Sequence, residues 1–175
     1  MQMNRGQAGS SFQSLGAGMT SKQDMCEMIA ATQLFADASW NDVEAFSKYV
    51  QCFVTPAGTV IFKEGDAGNF LCLLVKGEVD IFKEDHAGKA QRIASVSKGK
   101  TIGEMSIIDS EPRSATCIAF TDSVVLMLTK DNFARIIKER PGLAVFILSK
   151  LAKLMSQRLR GMSGQLVEHL GREAG

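Results

Sequence analysis

The 175-residue sequence has little excess charge, no long apolar run and few metal-binding side chains. Its 20 basic and 19 acidic side chains give a formal net charge of +1, so no overall positive field favours binding of a polyanion such as nucleic acid. Its apolar runs are interrupted by Lys, Asp or Glu before they reach the roughly 18 to 20 residues that a membrane-spanning helix needs. We therefore expect a soluble, cytoplasmic protein without a membrane span.

The start of the sequence also lacks the features of a signal peptide. Residues 1–21 are rich in Gly, Ser and Gln, and they contain no basic segment followed by an apolar one. We expect residues 1–21 to form a disordered tail, residues 22–170 a single domain and residues 171–175 a second, short tail. The hydrophobic content of 45% suits one buried core.

Cysteines and histidines are too few and too scattered for a metal site or a disulfide framework. The sequence has no Cys-x-x-Cys pair, and His86 and His169 are isolated from one another. The four cysteines stand singly in apolar surroundings, which predicts buried thiols in a reducing compartment. They are Cys26, Cys52, Cys72 and Cys117.

Apolar periodicity divides the chain into helical ends and a strand-rich middle. Helical spacing, with Ser39 as an N-cap, predicts two short helices between Lys22 and Tyr49. Between about Phe53 and Leu128, short β-rich runs alternate with Gly-containing turns. The predicted fold class is therefore α+β, mainly β: an antiparallel, jelly-roll-like β-roll flanked by N-terminal helices and two C-terminal helices.

The two C-terminal helices are predicted to start after Thr129 and at Pro141. Along the second, long helix, apolar side chains follow an approximate heptad. The heptad members are Leu148, Leu151, Met155, Met162, Leu166 and His169 or Leu170. Two interpretations stay open: the stripe packs on the chain's own β core, or it forms the seam of a homodimer. Arg158 and Arg160 are expected to lie on a solvated face of this helix.

The segment GEMSIIDSEPRSA, residues 103–115, contains the side chains best suited to bind a ligand. A short helical turn after Glu104 would leave backbone N–H groups free near Gly103, where the missing side chain lets a ligand approach. Arg113 offers a planar set of donors that matches a phosphate, and Ser114 can add a hydroxyl. The alternative for Arg113 is a surface ion pair with an acidic residue of the same loop.

Glu104 is best explained by a different part of the same ligand. An ionised carboxylate only accepts hydrogen bonds, so it would repel a phosphate but bind a sugar hydroxyl. A 3′,5′-cyclic nucleotide combines a singly charged phosphate with a free ribose 2′-OH. Such a ligand fits both Glu104 and Arg113.

The longer segment GEMSIIDSEPRSATCIA resembles the phosphate-binding cassette of the cyclic nucleotide-binding domain family, which includes catabolite activator proteins and protein kinase A regulatory subunits. Upstream, PAGTVIFKEGDAGNFLCLLVKGEVDIF resembles the first strands of that family, so the resemblance covers roughly Leu34–Leu170. It implies that Glu104 binds the ribose 2′-OH and Arg113 the phosphate oxygens. The other ligand contacts that it implies in this segment come from Gly103, Met105, Ser106, Ser114 and Ala115.

The end of the last helix is similar to the helix that contacts the base in catabolite-activator members of the family. There a Thr-Ser pair reads adenine, and here Met162 and Ser163 take its place. Ser163 keeps the hydroxyl, whereas Met162 hydrogen-bonds poorly, so the contact to the base is weakened. The ligand that the resemblance implies is cAMP or cGMP, with cAMP favoured.

The function implied by the resemblance is that of a receptor whose C-terminal helices move when the ligand binds and so signal to an unknown effector protein. A DNA-binding domain is not expected. An enzyme is not expected, because no His/Asp constellation for phosphodiester cleavage is visible. The remaining alternative is an interaction or dimerisation module of the same fold that binds cyclic di-GMP or no nucleotide.

Overall fold

The computed structural model describes residues 13–14 and 21–173. The strands are β1 (Gln13–Ser14), β2 (Val50–Thr55), β3 (Val60–Phe62), β4 (Phe70–Lys76), β5 (Glu78–Glu84), β6 (Ala90–Ser97), β7 (Thr101–Ile102), β8 (Thr116–Ala119) and β9 (Ser123–Thr129). The helices are α1 (Lys22–Ala30), α2 (Trp40–Ser47), α3 (Met105–Asp109), α4 (Lys130–Glu139) and α5 (Pro141–Glu173).

The strands form two antiparallel sheets. Sheet A has the order β1-β2-β9-β4-β7, and sheet B has the order β3-β8-β5-β6. Helices α1 and α2 precede most of the strands, and α4 and α5 follow them. This architecture confirms the predicted antiparallel β-roll with N-terminal and C-terminal helices.

Sheet A separates two apolar clusters, because successive side chains of a strand point to opposite faces. In β4, Leu71 and Leu73 belong to a cluster with residues of α1, α2, α4 and α5, here called the helical core. Cys72 and Leu74, between and beside them, belong to a smaller cluster with residues of sheet B, here called the roll core. The two faces of one strand therefore connect the helices to the inside of the roll.

Side-chain caps define the helix starts that the sequence predicted. The Ser39 side chain accepts a hydrogen bond from the backbone N–H of Asp42 at the start of α2, and that of Thr129 accepts one from Asn132 at the start of α4. Pro141 is the first residue of α5, where its fixed φ angle suits a helix and its missing N–H has no intrahelical partner. These three predicted boundaries are confirmed.

The start of β2 and the presence of β7 differ from the prediction. Strand β2 begins at Val50, earlier than the predicted start near Phe53, because α2 ends at Ser47 and both Tyr49 and Val50 are buried. Strand β7 was not predicted, since its two residues are too short to show a period of two. This short strand leads directly into Gly103.

Helix α5 has two apolar faces. Leu143, Ile147 and Leu151 are buried in the helical core, so at Leu151 the structure agrees with the first interpretation, packing on the chain's own core. A second stripe with strict three-four spacing is exposed or half-buried. Its described members are Val145, Leu148, Ala152, Met155, Leu159 and Met162. The predicted heptad members Leu166, His169 and Leu170 lie outside the side chains that the structure describes.

All four cysteines are free and buried, as predicted. In residues 21–173, no helix is both long enough and apolar enough to cross a bilayer. Most of the predicted N-terminal tail and residues 174–175 lie outside the described residues.

Candidate functional site

Residues 103–115, here called the cassette, lie between β7 and β8 and contain α3. Gly103 has a φ of +74°, a conformation that favours glycine. A Cβ atom added to Gly103 would lie 2.5 Å from Nη1 of Arg113 and 3.1 Å from Cε1 of Phe62. Gly103 is thus required both by its backbone conformation and by the close approach of the Arg113 side chain.

Arg113 is buried at the inner wall of the cassette, with 3% of its surface exposed. Its Nη1 donates to the carbonyl oxygen of Gly103 at 2.9 Å, and its Nη2 donates to that of Phe70 at 2.7 Å. The guanidinium carbon lies 4.0 Å from the ring centroid of Phe62 and 4.5 Å from that of Phe70. The cation is therefore fixed by two carbonyl groups and two aromatic rings.

The charge of Arg113 has no directly paired anion. No described carboxylate lies within 4.0 Å of its guanidinium, and its Nε is buried without a hydrogen-bond acceptor. Burial lowers the pKa of Arg113 from its usual value, although the side chain keeps its charge at neutral pH. A buried cation without a paired anion is a candidate site for an anionic group.

Glu104 is the second buried ionisable group of the cassette, with 4% of its surface exposed. Its Oε1 forms an ion pair with Arg158 of α5, whereas Oε2 is buried without a hydrogen-bond donor. Burial raises the pKa of Glu104 above its usual value, and the positive charge of Arg158 opposes that rise. The site thus holds a free acceptor on Glu104 beside a free donor on Arg113.

Arg158 connects α5 to the cassette. Besides its ion pair with Glu104, its Nη2 donates to the carbonyl oxygen of Thr101 at 2.8 Å and to the Thr101 hydroxyl at 3.1 Å. The expectation that Arg158 lies on a solvated helix face is therefore wrong. Arg158 continues the series Ile147, Leu151 and Leu154 at intervals of three and four residues, which places it on the same face of α5. This spacing is visible in the sequence and could have indicated the position of Arg158.

One cavity of about 110 Å³ brings most of the predicted residues together. Seven of the nine predicted ligand-binding residues line it: Gly103, Glu104, Met105, Ser106, Arg113, Ser114 and Ala115. The lining residues that the sequence reasoning missed are Phe62, Ile81, Thr101, Ile102, Cys117 and Arg158. Most of these missed residues come from strands of both sheets, so their convergence depends on the fold of the roll.

Small residues bring the cassette close to the preceding turn. Ser106 of α3 is 3% exposed, and a Cβ added to Gly68 would lie 2.0 Å from its Cβ. Gly68 therefore allows α3 to pack against the segment before β4. Ser114 is exposed at the cavity rim, with its hydroxyl 3.8 Å from the sulfur of Met105.

The two predicted base contacts lie outside the cavity in this structure. Met162 is 63% exposed, and the hydroxyl of Ser163 donates to the carbonyl oxygen of Leu159 at 2.9 Å within α5. Neither side chain lines the cavity. Their contact with a base stays a prediction.

The roll and its cavity define a class of protein: a β-roll domain with a small cavity that is lined by a buried carboxylate and a buried guanidinium. Comparison with known proteins gives that class its name. The family described as "Cyclic nucleotide-binding domain" matches residues 53–140. This chain belongs to the cyclic nucleotide-binding domain family.

Two curated proteins illustrate the relationship. The cyclic AMP receptor protein of Thermus thermophilus is 32% identical over 127 residues, which cover 73% of this chain and 57% of that protein. A cAMP-dependent protein kinase regulatory subunit of Aspergillus niger is 39% identical over 82 residues, which cover 47% of this chain and 19% of that protein. The chain thus spans less than two thirds of the length of either relative.

A solved structure shows the same fold over nearly the whole chain. A cyclic nucleotide-binding domain from Methylobacillus flagellatus is 31% identical, with a TM-score of 0.79, and the match covers 90% of this chain and 88% of that one. The catabolite activator protein of Thermus thermophilus has a TM-score of 0.68 at 30% identity, covering 77% of this chain and 62% of that one. The predicted family is therefore confirmed.

Proposed function

We propose that the cavity binds a 3′,5′-cyclic nucleotide, with cAMP preferred over cGMP, and that the bound state is passed through α5 to an effector protein. The observation that supports this proposal is a pair of buried atoms without partners. Three buried side-chain atoms lack a hydrogen-bond partner in the described part of the chain, and two of them, Glu104 Oε2 and Arg113 Nε, belong to residues of the same cavity.

The two unpaired atoms need opposite hydrogen-bonding partners, because one is an acceptor and the other a donor. The carboxylate of Glu104 accepts hydrogen bonds, which suits the 2′-OH of a ribose. The guanidinium of Arg113 donates hydrogen bonds and carries a positive charge, which suits the phosphate. A cyclic nucleotide satisfies both groups at once, and the desolvation of both side chains has already occurred in the free protein.

The preference for cAMP is supported by the names of the relatives. The Thermus thermophilus and Aspergillus niger proteins are named for cAMP, while a Plasmodium berghei relative, 27% identical over 57% of this chain, is named as a cGMP-dependent protein kinase. The Ser114 hydroxyl at the rim suits either ligand. Direct comparison of both nucleotides is therefore part of the test.

Signalling through α5 is supported by Arg158. This residue is paired with Glu104, so a ligand that binds the second oxygen of Glu104 changes the charge balance and geometry of that ion pair. Because Arg158 belongs to α5, the position of the helix depends on the state of the cavity. We propose that the effector recognises this change in α5.

We also propose binding without chemical conversion. The cavity contains one thiol, Cys117, but burial raises its pKa to about 12, so it is a protonated and weak nucleophile at neutral pH. Glu104 is already paired with Arg158. Appearance of 5′-AMP after long incubation with cAMP would contradict this part of the proposal.

Titration calorimetry with cAMP, cGMP and cyclic di-GMP tests the proposed ligand. We expect the wild type to bind cAMP most tightly, and Arg113→Ala to weaken binding by about ten- to a hundredfold, or about 1.5 to 3 kcal/mol, because a charge-assisted contact to phosphate is lost. Arg160→Ala is the matched control, since Arg160 is exposed on α5. No heat with any of the three ligands, or equal affinities of wild type and Arg113→Ala, would overturn the proposal.

A second copy of this chain is the proposed partner for the outer face of α5. Its apolar stripe has three-four spacing from Val145 to Met162, as in a helix that pairs with an identical helix. Sedimentation velocity should show a dimer, and Leu159→Glu should give a monomer because it places a charge in the seam. A wild-type monomer at micromolar concentration would contradict this proposal.

A further inference from the structure

Three separate segments meet at the outer end of the cassette. They are the turn of Lys63–Asp66, the end of β5 at Lys83 and the cassette residues Arg113 and Ser114. Lys83 does not line the cavity, although Arg113 and Ser114 do. Any effect of Lys83 on a ligand must therefore act through the cassette.

The Lys83 ammonium group bridges the turn and the cassette. It donates to Oε1 of Glu64 at 2.8 Å and to the carbonyl oxygen of Ser114 at 2.7 Å. The second carboxylate oxygen of Glu64 accepts from the backbone N–H of Glu84 at 3.1 Å. Glu64 is thus bound to β5 at two points, through a side chain and through the backbone.

The turn of Lys63–Asp66 also holds the backbone of Arg113, through two hydrogen bonds. The N–H of Gly65 donates to the carbonyl oxygen of Arg113 at 2.9 Å, and the N–H of Arg113 donates to the carbonyl oxygen of Asp66 at 2.8 Å. The N–H of Glu64 also donates to the hydroxyl of Thr116, at 2.9 Å, just beyond the cassette. These bonds fix the main chain from which the Arg113 side chain extends.

We propose that Lys83 and Glu64 are positioning residues for ligand binding. They join the turn to β5 and to Ser114, and so fix the place from which Arg113 donates to an anionic ligand. This inference rests on the proposed function, because it requires the cavity to bind a nucleotide phosphate. An ion pair with no such role would affect the stability of this corner and leave nucleotide affinity unchanged.

Nucleotide affinity of Lys83 variants provides the first test. Lys83→Met keeps the apolar stem but removes the charge and the donors, so we expect its cAMP affinity to fall by about three- to tenfold. Lys83→Arg should restore most of the affinity, since it keeps a charged donor. Lys22→Met is the matched control, because Lys22 is also exposed and paired with a glutamate, Glu44, but belongs to α1. We expect its affinity to equal that of the wild type.

A double-mutant cycle separates positioning from a general structural effect. In an Arg113→Lys background the planar donor set is gone, so Lys83→Met should cost less than about twofold in further affinity. Titrations are made at a temperature at which circular dichroism shows every variant to be folded. Equal losses in both backgrounds, or unchanged affinity in Lys83→Met, would overturn the inference while leaving the proposed function intact. Failure of the wild type to bind any cyclic nucleotide would overturn both.

Discussion

The two halves of α5 are held in different ways. Before Arg158, the helix buries Leu143, Ile147 and Leu151 in the helical core, with 5% exposure or less. After Arg158, the described apolar side chains are exposed, including Leu159 at 66% and Met162 at 63%. Arg158 is the last described residue of α5 with a hydrogen bond or ion pair to the β-roll. Apolar packing therefore holds the first half of α5 in place, whereas the second half is attached through the polar contacts of Arg158.

On the proposed function, this difference would allow one helix to be both stable and responsive to ligand. None of the helical-core residues lines the cavity, so we expect the first half to keep its place when a ligand binds. The Arg158 contact involves a carboxylate that the proposed ligand also binds. In the proposed signalling, the response of the helix to ligand therefore depends on a single position along its length, Arg158.

Replacing one leucine in each half of α5 by alanine should show the largest difference in stability between the two halves. Leu151→Ala removes a fully buried side chain and should lower the free energy of unfolding by about 2 to 5 kcal/mol. Leu159→Ala removes the same atoms from the exposed half and should change it by less than about 0.5 kcal/mol in the monomer. Urea denaturation of dilute protein measures both values. Similar losses in the free energy of unfolding at the two positions would show that the two halves of α5 are not held in different ways.

The pH dependence of cAMP affinity reports on Glu104. Its pKa is raised by burial, and a protonated carboxyl no longer offers the charged acceptor that the ribose hydroxyl needs. As the pH falls through this raised pKa, we expect affinity to decrease by about tenfold, or about 1.4 kcal/mol, for each further pH unit. Calorimetry at several pH values measures this slope. Glu104→Gln should bind more weakly at neutral pH and lack the slope, and a wild-type profile in this variant would contradict the role of Glu104.

Removal of Arg158 tests the link between the two halves. Its positive charge lowers the pKa of the buried Glu104, so Arg158→Met should raise that pKa further. The carboxyl carbon signal of Glu104, followed by NMR through an acid titration, measures the change. The control Arg160→Met, on the same half of the helix, should leave the pKa where it is. An unchanged pKa in Arg158→Met would show that the ion pair does not act on the cassette in solution.

Gly161 should provide the smallest effect. It lies in the exposed half, where an added Cβ meets no other atom within 4 Å. Gly161→Ala should therefore stabilise the distal turns by about 1 kcal/mol through helix propensity alone. Hydrogen exchange should slow by about fivefold for amides near residue 161 and stay constant near Leu151. Equal slowing at both places would show that the two halves unfold together.

Sequence reasoning found the cassette because its parts are contiguous. Glu104 and Arg113 are nine positions apart, with Gly103 and Pro112 beside them, so a single segment contains both proposed ligand contacts. The turns were also accessible, since Gly65, Gly77 and Gly88, in the Gly-containing turns between the predicted strands, have positive φ angles. Local signals were sufficient where the site is built from local sequence.

Arg158 was missed because its role depends on the register of α5 against the roll. It is 54 residues from Glu104 in the chain, and a basic side chain on a helix is usually solvated. The same limit applies to Phe62 and Ile81, which reach the cavity from two different strands of sheet B. Contacts between distant segments need the packed fold, whereas the family resemblance implied ligand contacts only in the cassette and the base-contact region.

The length of α5 makes it a lever. From Arg158 to its last described residue, Glu173, the helix continues for 15 residues, or about 22 Å at a rise of about 1.5 Å per residue. A tilt of about 10° at Arg158 would move that end by roughly 4 Å, more than the length of a hydrogen bond. On the proposed function, a small movement of the Arg158 guanidinium would thus become a larger displacement at the end of the helix, where an effector surface could recognise it. The length of α5 sets the size of that displacement.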